Sequence, residues 1–218
     1  MIKGTTFGTI HSGTDLHLIQ QKVEVQPAQP KTNYKDIPGF DGSKDLTEAL
    51  GVGVKFGDRE ISWTFGLYPG DSWPEKQRQV SNALNGYACR ITLDDDPGYY
   101  YDGRLTVSEY AIDKLLRQIV VKALCRPYKL KQQITTVSRN DLSANYKNLT
   151  LINGRKPVVP SITVSVETTL KWGEDTYTVN TGTHKIMDIV LSPGNNILKA
   201  KVTGESGEIT VSYQEGDL

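Results

Sequence analysis

The chain has 218 residues, with 25 basic and 25 acidic side chains and a formal net charge of zero. That length fits one large domain or two small ones and a core of useful size without disulfides or metals. A neutral balance argues against a whole-chain nucleic-acid binder, which carries a basic surplus. No apolar run is long enough to span a bilayer, and the start, "MIKGTTFGTIHSG", lacks the apolar core of a signal peptide.

In chain order, "VGVKF" sends Val52, Val54 and Phe56 one way, and "EISWTFGLY" does the same with Ile61, Trp63, Phe65 and Leu67. The intervening "GDR" offers a glycine for a tight turn, so residues 51–68 are expected to form a hairpin. "GVGVKFG" lacks the lysine and hydroxyl residue of a phosphate-binding loop and is expected as strand.

"SWPEKQRQVSNALNGY" is a helix signal. Ser72 suits an N-cap, Glu75 completes the capping-box spacing, and Pro74 falls in the first turn. Val80, Ala83, Leu84 and Tyr87 share a helical face, and Gly86 is a stop. A strand follows through Tyr87, Cys89, Ile91 and Leu93.

"DDDPGYYYDGR" then packs four carboxylates and three consecutive tyrosines around two glycines. Pro97-Gly98 suits a type II turn, and Asp102-Gly103 a second turn or bulge. Tyr99 and Tyr101 are expected on one side and Tyr100 on the other. The consecutive aspartates, interrupted by proline, do not match a calcium loop, nor does burial single out an acid pair for glycoside hydrolysis. A projecting hairpin is expected, with Asp94, Asp95, Asp96, Tyr99, Tyr100 and Tyr101 available to a neighbouring subunit or another component.

"GRLTVSEY" returns as a strand, and periodicity over 108–120 fits helix and strand alike. "YKLKQQITTVSRNDLSANYKN" shows no apolar face and suits a linker or inter-domain strand. Beyond it, Ile162, Val164 and Val166, then Leu198, Ala200 and Val202, then Ile209, Val211 and Tyr213 mark short strands, with "SPGNN" and "GESGE" as turns. No helix is expected after residue 130. The fold class is mainly β: an N-terminal β-sandwich-like domain over 1–132 with one short helix, and a small all-β sandwich over 133–218.

Catalytic signals are absent. Cys89 and Cys125 form no C-x-x-C pair and are expected as buried free thiols, a disulfide following only if their strands are neighbours. His11, His17 and His184 belong to no nucleophile or zinc motif. No cofactor or metal is expected. Trp172 and Tyr177 are the candidate stacking residues if the second domain binds sugars, the alternative being core or rim packing.

The ordered succession "IPGFDGSKDLTEALGVGVKFGDREISWTFGL", capped helix, "ITLDDDPGYYYDGRLTVSEY" and "IVVKALCRPYKL", with the ending "LSPGNNILKAKVTGESGEITVSYQEGDL", resembles the distal tail protein (Dit) family of long-tailed bacteriophages. The resemblance implies an N-terminal ring-forming domain and a C-terminal domain similar to galectins or carbohydrate-binding modules. On its strength a strand is expected over 117–126, where periodicity alone does not decide. It implies a homo-hexamer at the virion tail tip, assembled in the host cytoplasm. That ring would join the tail tube protein to tip or receptor-binding proteins and let DNA pass without sequence-specific binding. The absence of a long insertion after residue 130 argues against an additional sugar-binding module. A carbohydrate-binding adhesion module is the alternative function, and a cell-wall hydrolase a weaker third.

Overall fold

A computed structural model describes residues 3–49, 53–112, 117–204 and 206–218, with the side chains of 111 and 112 outside the description. The chain divides into two compact units between Lys129 and Leu130. In the first lie β1 (Thr5–Phe7), β2 (Ile10–His11), β3 (Leu18–Val25), β4 (Tyr34–Asp36), β5 (Ser43–Asp45) and β6 (Arg59–Leu67), then α1 (Trp73–Leu84), β7 (Ala88–Leu93), β8 (Tyr99–Ile112) and β9 (Arg117–Cys125). A short strand, β10 (Lys129–Lys131), spans the division.

The first unit is built on an antiparallel sheet in the order β2-β1-β7-β8-β9-β6-β3. Period-two alternation decides its buried face. Ile61, Trp63 and Phe65 of β6 are fully buried, beside Ile119 and Val121 of β9 and Leu105 of β8. Phe7 meets Trp63 edge-to-face at 5.1 Å and Phe65 at 6.4 Å. The buried Trp63 indole N–H is satisfied by Thr5 Oγ1 at 3.0 Å, and that hydroxyl donates to Gln20 Oε1 at 2.7 Å. Helix α1 adds Trp73, Val80 and Leu84 to the same core. Tyr110 ties the helix to β8 through its hydroxyl on Gln77 O and its ring against Trp73.

The expected hairpin over 51–68 does not form. Residues 51 and 52 lie outside the described residues, and 53–58 make one isolated bridge, Phe56 to Pro30, instead of a strand. Gly57 does not take the left-handed backbone a tight turn would need, and its N–H goes to Gln29 O at 2.8 Å. The partners of β6 are β3 and β9, whose long strands cover both its edges. Ser72 is the N-cap, but its side chain makes no capping bond, so the expected capping box is not closed. Tyr87 lies beyond the helix and is exposed. Asn85 ends α1, and Gly86 follows at φ 80° as expected of a stop. The strand expected over 117–126 is β9.

The second unit comprises β11 (Thr135–Leu142), β12 (Lys147–Asn153), β13 (Ser161–Val164), β14 (Thr168–Trp172), β15 (Asp175–Val179), β16 (Gly182–His184), β17 (Gly194–Val202), β18 (Gly207–Tyr213) and β19 (Gly216–Asp217). Two four-stranded antiparallel sheets, β11-β18-β13-β16 and β12-β17-β14-β15, send their inward residues into one core. Leu198, Ala200 and Val202 are buried in it, as are Ile209, Val211 and Tyr213. Ile162 and Val164 are buried too, but β13 ends there and Val166 is exposed. The polar stretch expected as a linker or inter-domain strand carries β11 and the start of β12. Its outward side chains are polar, and only Val137 and Leu142 of β11 pack inward, so the alternation is too sparse to register as a strand. Both units together give a mainly β, antiparallel, sandwich-like architecture with one helix among the described residues.

Gly103 is held by its neighbours. A Cβ there would lie 2.5 Å from Cys125 Sγ and 3.1 Å from Leu124 O. Gly103→Ala is expected to cost about 1–3 kcal/mol in urea unfolding, and less when introduced into a Cys125→Ala background, because the clash with sulfur is then gone. Equal costs in both backgrounds would mean that the thiol does not set the constraint.

Candidate assembly interface

The acidic turn between β7 and β8 is tethered at each aspartate. Asp94 accepts the Gly4 N–H at 2.8 Å and lies 3.2 Å from His11 Nε2. Asp95 pairs with Lys3 at 2.5 Å, both largely exposed, and Asp96 pairs with Lys129 at 2.8 Å. Hydrogen bonding to Asp96 is the first cause holding the Lys129 amine above its ordinary range. The turn closes through Tyr99 N–H on Asp96 O at 3.2 Å, yet Gly98 is not left-handed, so it is not type II. Asp102-Gly103 is neither turn nor bulge: both residues are in register inside β8, and the bulge falls between Val107 and Glu109.

The tyrosines pack within the chain. Tyr100 and Tyr101 are only 5% and 6% exposed, and Tyr99 is half-buried. Each ring carries a cation: Lys129 over Tyr99 at 4.5 Å, Arg90 over Tyr100 at 4.6 Å and Arg59 over Tyr101 at 5.6 Å. Burial pushes the Tyr101 phenol up. The structure therefore brings the six candidate residues together and leaves Asp94 and Asp95 as the exposed ones.

A larger open surface lies in an element that motif reading passed over. Among the described residues, strands β4 and β5 pair only with each other, Tyr34 opposite Asp45 and Asp36 opposite Ser43, and all their residues are exposed. Tyr34 is 57% exposed and Phe40, at the tip, 76%. Ile37 and Phe40 line an apolar hollow of about 350 Å³. The available signal was "IPGFDGS": Gly39 and Gly42 take φ of 85° and 76°, which two turn dipeptides supply. A two-stranded hairpin on its own is marginal in water, and this one also presents aromatic surface.

Cys89 and Cys125 are both in register with Gly103, on the strands either side of it. Two strand spacings, about 9.5 Å, exceed the reach of a disulfide, and both thiols are free. Burial is the main cause pushing Cys89 up to about 11 and Cys125 to about 12. His11 Nδ1 accepts N–H groups of Gly13 and Thr14, and His184 Nε2 lies 2.7 Å from Asn180 O. His17 takes φ 50° at a loop position. Trp172 and Tyr177 are half-buried against the second core, not displayed as open stacking rings. Among the described residues no group of three metal-ligating side chains occurs, and no helix is long and apolar enough to cross a membrane.

No family model matches the sequence, and no curated protein matches it. A solved structure does: the Dit protein of phage SPP1, described as a paradigm of the hub adsorption apparatus in phages infecting Gram-positive bacteria, at TM-score 0.68 and 16% identity, over 98% of this chain and 99% of that one. The chain has the Dit fold. A designed double-stranded β-helix also aligns, over 38% of this chain at 12% identity and TM-score 0.28. The Dit match runs through both units, so the fold expected from the quoted stretches holds although little of the sequence is shared.

Because burial disfavours both thiolates, the fold gains from these cysteines below the ordinary thiol range. That gain is expected to be lost as pH rises from about 9 through 11 and 12. Native protein at pH 8 should leave both cysteines unreacted with a thiol reagent, and denaturant should release both. Rapid native labelling of Cys125 would contradict its burial.

Proposed function

We propose that this chain is a structural subunit of the tail-tip hub of a long-tailed bacteriophage, without enzymatic activity. Copies of it close into a hexameric ring that joins the tail tube protein to tip or receptor-binding proteins and lets DNA pass. The observation that carries this reading is the end-to-end fold likeness to the SPP1 Dit protein. A neutral chain supports it as well, since a lumen free of basic surplus avoids the counterion-release affinity that would hold DNA.

The β4–β5 hairpin is the ring-closing element. Its exposed Tyr34 and Phe40 would gain burial against another copy, and a head-to-tail contact of this kind closes a ring when the rotation permits. Asp94 and Asp95, with Asp96 and Tyr99 behind them, add a second contact to a tail component, while Tyr100 and Tyr101 support the turn from within.

Light scattering with negative-stain imaging of the purified chain tests this. Ring particles of hexamer mass are expected, alone or with other tail proteins, and a strict monomer in both conditions would end the hub reading. Phe40→Asp touches no packed core and should leave folding stability within about 0.5 kcal/mol while abolishing the ring. Rings that persist in Phe40→Asp would remove the hairpin from the interface but leave the hub.

A further inference from the structure

We infer that the outer face of the β12-β17-β14-β15 sheet docks a protein partner presenting an apolar centre edged by carboxylates. The sheet register places these side chains together. Lys171 of β14 lies directly opposite Lys199 of β17, with Lys201 one outward position further along. Like charges opposed across strands are destabilising, and among the described residues Lys199 has no ion-pair partner. Lys171 has only Glu174 at 3.8 Å, itself almost wholly exposed, and Lys201 sits over the Tyr146 ring at 4.8 Å.

On the same face, Thr150 opposes Ile197, and Ile152 is one outward position further along β12. Ile152 is 61% and Ile197 52% exposed. Two neighbouring exposed isoleucines bordered by lysines have the anatomy of an interface: apolar centre, charged rim.

The other outer face of the same sandwich is the internal comparison. There Thr136 meets Ser212 at 3.3 Å, Ser138 meets Thr210 at 3.0 Å and Thr163 meets Thr183 at 2.8 Å. Those hydroxyls satisfy one another, and Glu208 is the charged outward residue of β18 beside them. The paired hydroxyls of that face meet partners within the free chain, whereas the other face carries opposed lysines and bare isoleucine that an acidic, partly apolar partner would relieve. The apolar component distinguishes this partner from a phosphate polymer, which would use the lysines alone. The inference concerns the second unit only and stands or falls separately from ring closure.

The test uses the full chain and three probes: a peptide alternating glutamate and leucine, polyglutamate, and polyphosphate. The amphipathic peptide is expected to bind, with affinity falling at least tenfold in Lys199→Glu and in Ile197→Ser. Lys199→Gln is expected to raise the unfolding temperature of the free chain at low salt and to lose that advantage at high salt. Absence of peptide binding would overturn the inference. So would polyglutamate or polyphosphate binding equally well and indifferently to Ile197→Ser. Self-association abolished by Lys199→Glu would give the face to a second copy, and a salt-independent Lys199→Gln would remove the repulsion on which the argument rests.

Discussion

The antiparallel pairing of β3 with β6 is the constraint from which the first unit's surface follows. Val25 stands opposite Ile61, and the Gln26 N–H reaches Glu60 O at 3.0 Å. The chain therefore leaves the sheet and re-enters it at one place. β4 and β5, which fall between those points, run as an excursion from the sheet, since β6 already has β9 on its other edge. The core fixes this pairing through Ile61, Trp63 and Phe65, because a one-residue slip would turn all of them to the opposite face. An exposed β4–β5 hairpin is thus a consequence of core burial, and its aromatic tip is the feature that needs a further explanation. Assembly supplies one.

This also explains which parts of the fold were legible in the sequence. Alternation in β6, β17 and β18 is dense, and those strands were read with their buried residues, whereas the periodicity of β9 fits helix as well and its reading as strand leaned on the family resemblance. Pairing was not legible. "VGVKF" and "EISWTFGLY" are adjacent and both apolar, which suggests a hairpin, whereas β6 gains more from two long non-local strands than from the short local one. β11 was left open between linker and strand for the opposite reason: its outward residues are polar and its inward ones few, so that pairing with β18 decides its conformation.

The acidic, tyrosine-rich stretch was legible as a place but not as a state. Composition marks it as a contact surface, because carboxylates and tyrosines are common at turns and interfaces alike. What decides is whether cations inside the same protomer already meet them. Lys3, Lys129, Arg90 and Arg59 come from distant parts of the first unit, and their convergence is a property of the sheet order. Asp94 and Asp95 are left facing solvent, while the tyrosine rings serve the domain's own cohesion.

The same principle separates the two outer faces of the second unit. Strand alternation obliges each sheet to present a row of side chains outward, but it does not choose them. Hydroxyls at adjacent positions bond to one another and to water, so a Ser/Thr face asks nothing of a partner. Lysines opposed across a ladder repel, and isoleucines beside them expose apolar area, so the second face holds free energy that only something outside the chain can release. Places where the free chain is locally unsatisfied are where a partner has something to offer. Here they are the hairpin tip and the lysine-isoleucine face, and each asks for a different complement: aromatic burial at the one, apolar burial with negative charge at the other.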